Sequence, residues 1–203
     1  MTENPLAEET RILRLIRKAG IVRPRDLARQ GVHRTQLVRM VEAGLVERIS
    51  RGVYVAAGHE FSVNLAAAIV ATRVPRAVIC LLTALRLHNL TTQQPAEVWI
   101  ALPEKARRPN LDYPRLHVAR FSGNALSEGV EQRKIEGVTV RVYSAAKTVA
   151  DCFKYRNKIG VDVAAEAPRN YTRKHRGGAN DLAHFARICR VTRVMQPYLD
   201  SLP

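Results

Sequence analysis

Thiols and aromatic rings are scarce in this chain. Aromatic residues fill 5% of its 203 positions, so Leu, Val, Ile and Ala must build most of any core. The three cysteines, Cys80, Cys152 and Cys189, are odd in number, far apart and without a C-x-x-C pair. That spacing excludes a disulfide framework and fits a reducing compartment. Apolar runs are short as well: the longest, around Ala66–Ala71, cannot span a bilayer, so no membrane role is expected. The opening "MTENPLAEETRILRLIRKAG" is polar and acidic where a secretory signal would be basic and then apolar, and a soluble cytoplasmic protein is expected.

Catalytic patterns are missing too. The chain has no G-x-S-x-G, no P-loop and no G-x-G-x-x-G. His59 is followed by Glu60, but no second histidine stands four residues after the first, so there is no zincin helix. His33, His59, His88, His117, His175 and His184 are scattered, and none stands at zinc spacing from a cysteine. His88, within an apolar stretch, reads as a satisfied core residue. Glu128, Glu131 and Lys134 lack the spacing that would bring carboxylates onto one metal. The expectation is a protein that is not an enzyme and uses neither metal nor cofactor.

Positive charge is what the chain has in excess. The formal charge is +15, with 33 Lys and Arg against 18 Asp and Glu. The excess is even: residues 1–58, 59–150 and 151–203 each carry +5, so there is no basic tail on a neutral body. A surplus this large points to a polyanionic partner, and nucleic acid is the commonest.

Periodicity then divides the chain. Leu6, Ile12, Leu13, Leu15 and Ile16 have helical spacing up to a stop at Gly20. Pro24 starts a second short helix that Gly31 ends. His33 or Arg34 opens a third, with Leu37, Met40 and Val41 as its apolar stripe and Gly44 as its end. "LVERISRGVYVAA" alternates and turns near Gly52 like a β-hairpin. Three helices and a hairpin within about 55 residues predict a winged helix-turn-helix, assigned to residues 1–58, with a junction near Gly58–Ser62.

Residues 59–203 predict a mixed α/β domain, giving an α+β protein overall. "SVNLAAAIVATRV" and "AVICLLTALRLHNL" read as helices separated by Pro75; "AEVWIALP" and "RLHVARFS" read as strands. "KIEGVTVRVYS" reads as a hairpin turning at Glu136-Gly137, and Ser144 as the cap of the helix "AAKTVADCFKYRNK". A helix from about Asp162 is interrupted or ended by Pro168. "YTRKHRGGAND" reads as a basic loop, and Asn180 or Asp181 as the cap of a last helix reaching about Tyr198.

In a winged helix the third helix enters the major groove, and side chains near its N-terminus reach base edges. His33, Arg34, Thr35, Gln36 and Arg39 fall there. Arg pairs in bidentate fashion with guanine and Gln with adenine. Arg48, Ser50 and Arg51 lie on the hairpin, where a wing contacts phosphate or enters the minor groove, and Arg23 and Arg25 flank the second helix, placed to grip phosphates. Arg187, Arg190 and Arg193 follow three-residue steps on the last helix; with Arg173, Lys174 and Arg176 they form a second candidate surface, for DNA or an acidic partner.

The stretch "GIVRPRDLARQGVHRTQLVRMVEAGLVERISRGVYV" resembles the N-terminal winged helix of AbiEi-type antitoxins. The resemblance continues through "LLTALRLHNLTTQQPAEVWIALP", "IEGVTVRVYSAAKTVADCFKYRNKIGVDVA" and "CRVTRVMQPYLDSL", in the family's order. It implies the antitoxin of a type IV toxin–antitoxin pair. The N-terminal domain would repress the shared promoter by binding inverted repeats in double-stranded DNA. The C-terminal domain would counter a nucleotidyltransferase-like toxin, in some systems without a stable complex. Pro168 departs from the pattern, which leads one to expect an uninterrupted helix there. Two other readings compete: a stand-alone transcription regulator whose C-terminal domain senses a ligand or dimerises, and a winged helix that binds only protein.

Overall fold

In the computed structural model, which describes residues 5–60 and 62–201, the chain begins with α1 (Pro5–Ala19), α2 (Pro24–Ala28), α3 (Arg34–Glu42), β1 (Val46–Ser50) and β2 (Val53–Ala56). Ile12 and Ile16, one turn apart on α1, are fully buried together with Leu27, Leu37, Met40 and Val46. The two strands pair antiparallel with an irregularity between Arg48 and Ser50, and Val22 adds a bridge to Tyr54. This is the winged helix-turn-helix arrangement the periodicity predicts. Its wing is very short, because Ser50 pairs with Val53 and leaves only Arg51 and Gly52 to turn.

The second unit runs α4 (Val63–Arg73), β3 (Val78–Ile79), α5 (Leu81–Leu87), β4 (Val98–Pro103), β5 (Leu116–Phe121), α6 (Asn124–Ser127), β6 (Val130–Ile135), β7 (Val138–Tyr143), α7 (Ala145–Lys154), α8 (Arg156–Ile159), α9 (Val161–Lys174), α10 (Ala179–Ile188) and α11 (Thr192–Asp200). Its five strands form one mixed sheet in the order β5-β4-β3-β7-β6, with β3 parallel to β7 and antiparallel to β4. Alternation along the strands divides the core. Ile100, Val140 and Val142 face α4, whereas Trp99, Ala101 and Tyr143 face the layer containing α5, α7 and α9. The chain is thus α+β, a winged helix-turn-helix followed by a mixed-sheet domain.

α4 explains how the two units meet. Six consecutive residues, Leu65 to Val70, are buried, too many for a helix with one solvent face. The sheet covers one side of α4, and Val53 and Val55 of the wing belong with Ile21 to the same apolar cluster. No gap in the core therefore marks the junction expected near Gly58–Ser62, of which Phe61 lies outside the described residues. The β6–β7 turn adds a second contact. Glu136 and Gly137 both have positive φ, +48° and +72°, as a two-residue type I′ turn requires. A β-carbon on Gly137 would run into the Ala19 carbonyl at the end of α1. Beside it, His59 Nε2 lies 3.3 Å from a Glu136 carboxylate oxygen.

Several expectations need correction. "AVICLLTALRLHNL" is not one helix: Val78–Ile79 is the central strand of the sheet, and α5 starts only at Leu81. A strand buried on both faces reads as a continuous apolar run, which periodicity cannot separate from a buried helix. Pro168 neither interrupts nor ends α9, which runs to Lys174 with Pro168 buried. The basic loop consequently shrinks to the residues after α9. The last helix is in fact two, α10 and α11, separated around Arg190 at φ +59°. Neither Asn180 nor Asp181 caps α10; Gly178 takes that position and both residues lie inside the helix. Ser144 does cap α7, its hydroxyl accepting from the Lys147 N–H at 3.3 Å.

Candidate nucleic-acid interface

α3 owes its position to a small polar clamp. His33 is its extended N-cap residue, and the His33 backbone N–H donates to Gln36 Oε1 at 2.7 Å. Gln36 Nε2 in turn donates to Glu8 on α1 at 3.3 Å, and Glu8 holds Arg11 at 2.6 Å. The Arg11 hydrogen bond keeps the Glu8 carboxyl below its ordinary range. Gln36, read from the sequence as an adenine reader, thus has both ends of its amide engaged inside the protein. To pair with a base it would have to release the helix cap and α1.

His33, Arg34, Thr35 and Arg39 are exposed at the beginning and along the outer side of α3. Among the described residues, no hydrogen bond or ion pair holds the side chain of Arg34, Arg39, Arg48 or Arg51. Arg34 of α3 and Arg48 and Arg51 of the wing come together around one cleft of about 520 Å³. Its floor includes Leu37, Val41 and Tyr54, and one acid, Glu42, lines the far end of the helix. Ser50 is not on this surface: it is 6% exposed and its hydroxyl has no partner. The β-bulge before it turns Arg48 outward and Ser50 inward.

The two arginines flanking α2 differ. Arg23 is half-buried and bidentate on Asp26, at 2.6 and 3.1 Å, a contact that holds the Asp26 carboxyl below its usual range. Arg25, by contrast, leaves 67% of its side chain in solvent.

Three features escaped the sequence reading. The guanidinium of Arg73, on α4, donates to the Arg51 carbonyl and braces the wing from behind. Val38 is 46% exposed in the cleft on α3. Its position one turn after Arg34 and off the Leu37–Met40–Val41 stripe was a usable signal. The third is a fully buried pair in the second unit: Lys147 Nζ donates to both Asp151 carboxylate oxygens, at 2.7 and 2.6 Å, and the Cys189 thiol donates to one of them at 3.2 Å. Burial pushes the Asp151 carboxyl up from its ordinary value and the Cys189 thiol up to about 12.

The second cationic set is distributed over α9, α10, α11 and the turns between them. Arg173 and Lys174 end α9, where Arg173 donates to Asn170 and Lys174 to the Asn89 carbonyl at 2.7 Å. Arg176 lies in the following turn, Arg187 on α10, Arg190 between helices and Arg193 on α11, all exposed. The break at Arg190 destroys the three-residue periodicity that joined them. Among the described residues no group of three His, Cys, Asp or Glu side chains is placed to hold a metal ion, and no helix is long and apolar enough to cross a membrane.

A cleft rimmed by Arg34, Arg48 and Arg51 between the third helix and the hairpin, mounted on a mixed-sheet body, defines the class of winged helix-turn-helix folds. Residues 11–57 match the family model described as "Transcriptional regulator, AbiEi antitoxin", and over that segment the chain is similar to that family. That description names a regulator and no reaction. No curated protein matches the chain.

Proposed function

We propose that the protein is a DNA-binding autorepressor and the antitoxin of a type IV toxin–antitoxin pair. Residues 1–58 bind inverted repeats in its own promoter, and residues 59–203 act against a nucleotidyltransferase-like toxin in the cytoplasm. The observation that carries the DNA half is the convergence of Arg34, Arg48 and Arg51 on one cleft, their side chains free of ion pairs among the described residues. In this reading Arg34 pairs with a base edge while Arg48 and Arg51 hold phosphates, assisted by Arg25 and Arg39. Gln36 supports α3 from within, and Arg23 contributes through α2 instead of through DNA. The antitoxin half is supported by the family match and, beyond residue 57, by the resemblance of the following blocks. Arg176, Arg187, Arg190 and Arg193 are the exposed cations available to a further partner.

A second reading keeps the winged helix and makes the protein a ligand-responsive regulator. A cleft of about 580 Å³ favours it, because residues of α1, α2, α4 and the β6–β7 turn all line it.

Fluorescence anisotropy over a salt series tests the DNA half, using the protein's own upstream DNA and a scrambled duplex. The expected result is a preference of roughly a thousandfold that survives physiological salt. Equal binding that collapses with salt would leave only the electrostatics of a +15 protein. Co-expression with a nucleotidyltransferase-like toxin, expected from a neighbouring gene, tests the other half: growth is rescued by the antitoxin and unchanged by a ligand-sensing regulator.

A further inference from the structure

We propose that Val38 reads the methyl group of a thymine in the major groove, about two base pairs from the base that Arg34 contacts. The inference rests on α3 being the DNA-reading helix. Residues four apart share a helix face, and Val38 follows Arg34 by four. Four residues advance about 6 Å along a helix, close to two base-pair steps. α3 already buries Leu37 and Met40 in the core, so Val38 is not needed for packing and stays 46% exposed.

The surroundings decide what covers this valine. Arg34, Arg48 and Arg51 rim the cleft in which it stands, and that rim is complementary to phosphate, not to an apolar protein surface. Within a groove lined by phosphates, the apolar group a base pair presents is the thymine C5-methyl, and an aliphatic side chain is its complement. Arg34 alone would select a guanine. Arg34 and Val38 together select a guanine and a thymine at fixed spacing in each half-site, which a set of arginines by itself cannot do.

Replacing each thymine of the upstream duplex in turn by deoxyuridine removes one methyl group and leaves every hydrogen-bonding edge intact. The wild-type protein should lose about fourfold in affinity at one position per half-site, the effect of one buried methyl. Val38→Ala should bind the thymine and deoxyuridine duplexes equally at that position while keeping sensitivity to the guanine. Indifference of the wild type to every replacement overturns the proposal, as does a Val38→Ala variant that retains the full fourfold discrimination. Both outcomes leave the repressor reading standing as long as the upstream duplex is preferred to the scrambled one. Loss of that preference in the wild type removes both. The wild-type arm needs no variant, so a folding defect cannot mask the answer.

Discussion

A lysine and an aspartate with no solvent contact sit one turn apart on α7, and each is the other's main reason for being tolerated. Removing one partner leaves a charged or polar group buried without compensation, which typically costs about 3–5 kcal/mol. Lys147→Met should therefore lower the unfolding free energy by that amount, whereas Lys147→Met combined with Asp151→Leu should recover most of the loss. Denaturation of the single and double variants, compared in one cycle, measures the difference. His88 gives a pH signature. Burial lowers its pKa from the ordinary 6.5, its Nε2 meets the Tyr143 carbonyl at 2.7 Å, and Arg133 approaches Nδ1 at 3.4 Å. Because the folded pKa is depressed, the unfolded chain takes the proton first as pH falls. Stability is thus full above about 6.5 and declines below it until the folded value is passed. His88→Gln should flatten the pH dependence of urea unfolding below about pH 6.5.

At the scale of elements, the proposed DNA reading gives α3 and the wing separable tasks. Arg34→Ala should weaken binding to the promoter about 10- to 100-fold and to random duplex much less, as expected for a lost base contact. Arg51→Ala should weaken both alike and reduce the salt slope by about one unit. Anisotropy on the two duplexes separates the outcomes; equal losses for Arg34→Ala would remove base readout. These elements were the legible part of the chain. Pro24, Gly31, Gly44 and Gly52 punctuate the winged helix, and Leu37 and Met40 mark its core face. The Glu136-Gly137 turn and the Ser144 cap were readable for the same reason, since residue type there follows local geometry. Where the reading failed, no such residue stood. β3 passes into α5 at Leu81, with φ +47°, and α10 into α11 at Arg190, with φ +59°. Both are left-handed positions filled by side chains that ordinarily avoid them, Leu81 held by its own burial and Arg190 by the buried Cys189 and Val191 on either side. Pro168 misled in the opposite sense: a strong local breaker sits inside a helix whose buried side secures it against α7. The candidate site was legible as a set of charges but not as a surface. The engagement of Gln36 and Arg23, and the inward turn of Ser50, depend on Glu8, on Asp26 and on a bulge that composition does not show.

At the scale of the whole molecule, the β6–β7 turn joins the mixed sheet to the winged helix. Gly137→Ala places a β-carbon against the Ala19 carbonyl at a position whose φ is +72°. It should cost about 1–3 kcal/mol in global stability. It should also weaken promoter binding beyond what unfolding accounts for, although Gly137 lies outside the cleft. Binding titrations at a temperature where the variant is fully folded check this, and wild-type affinity there would mean the turn plays no part in holding α1.

The apolar side that Ile21, Val53 and Val55 present to α4 has a practical consequence for dissecting the protein. The usual way to assign two activities to two halves is to cut between them and assay the pieces. Cut after residue 58, the N-terminal piece would carry those three side chains bare into solvent, and α4 would lose the cover that lets it be apolar all round. A fragment that fails to repress, or clumps, would then report an exposed seam and not a missing function. Point substitutions in the intact chain, on either side of the seam, are the sounder way to test the proposed repression and toxin control.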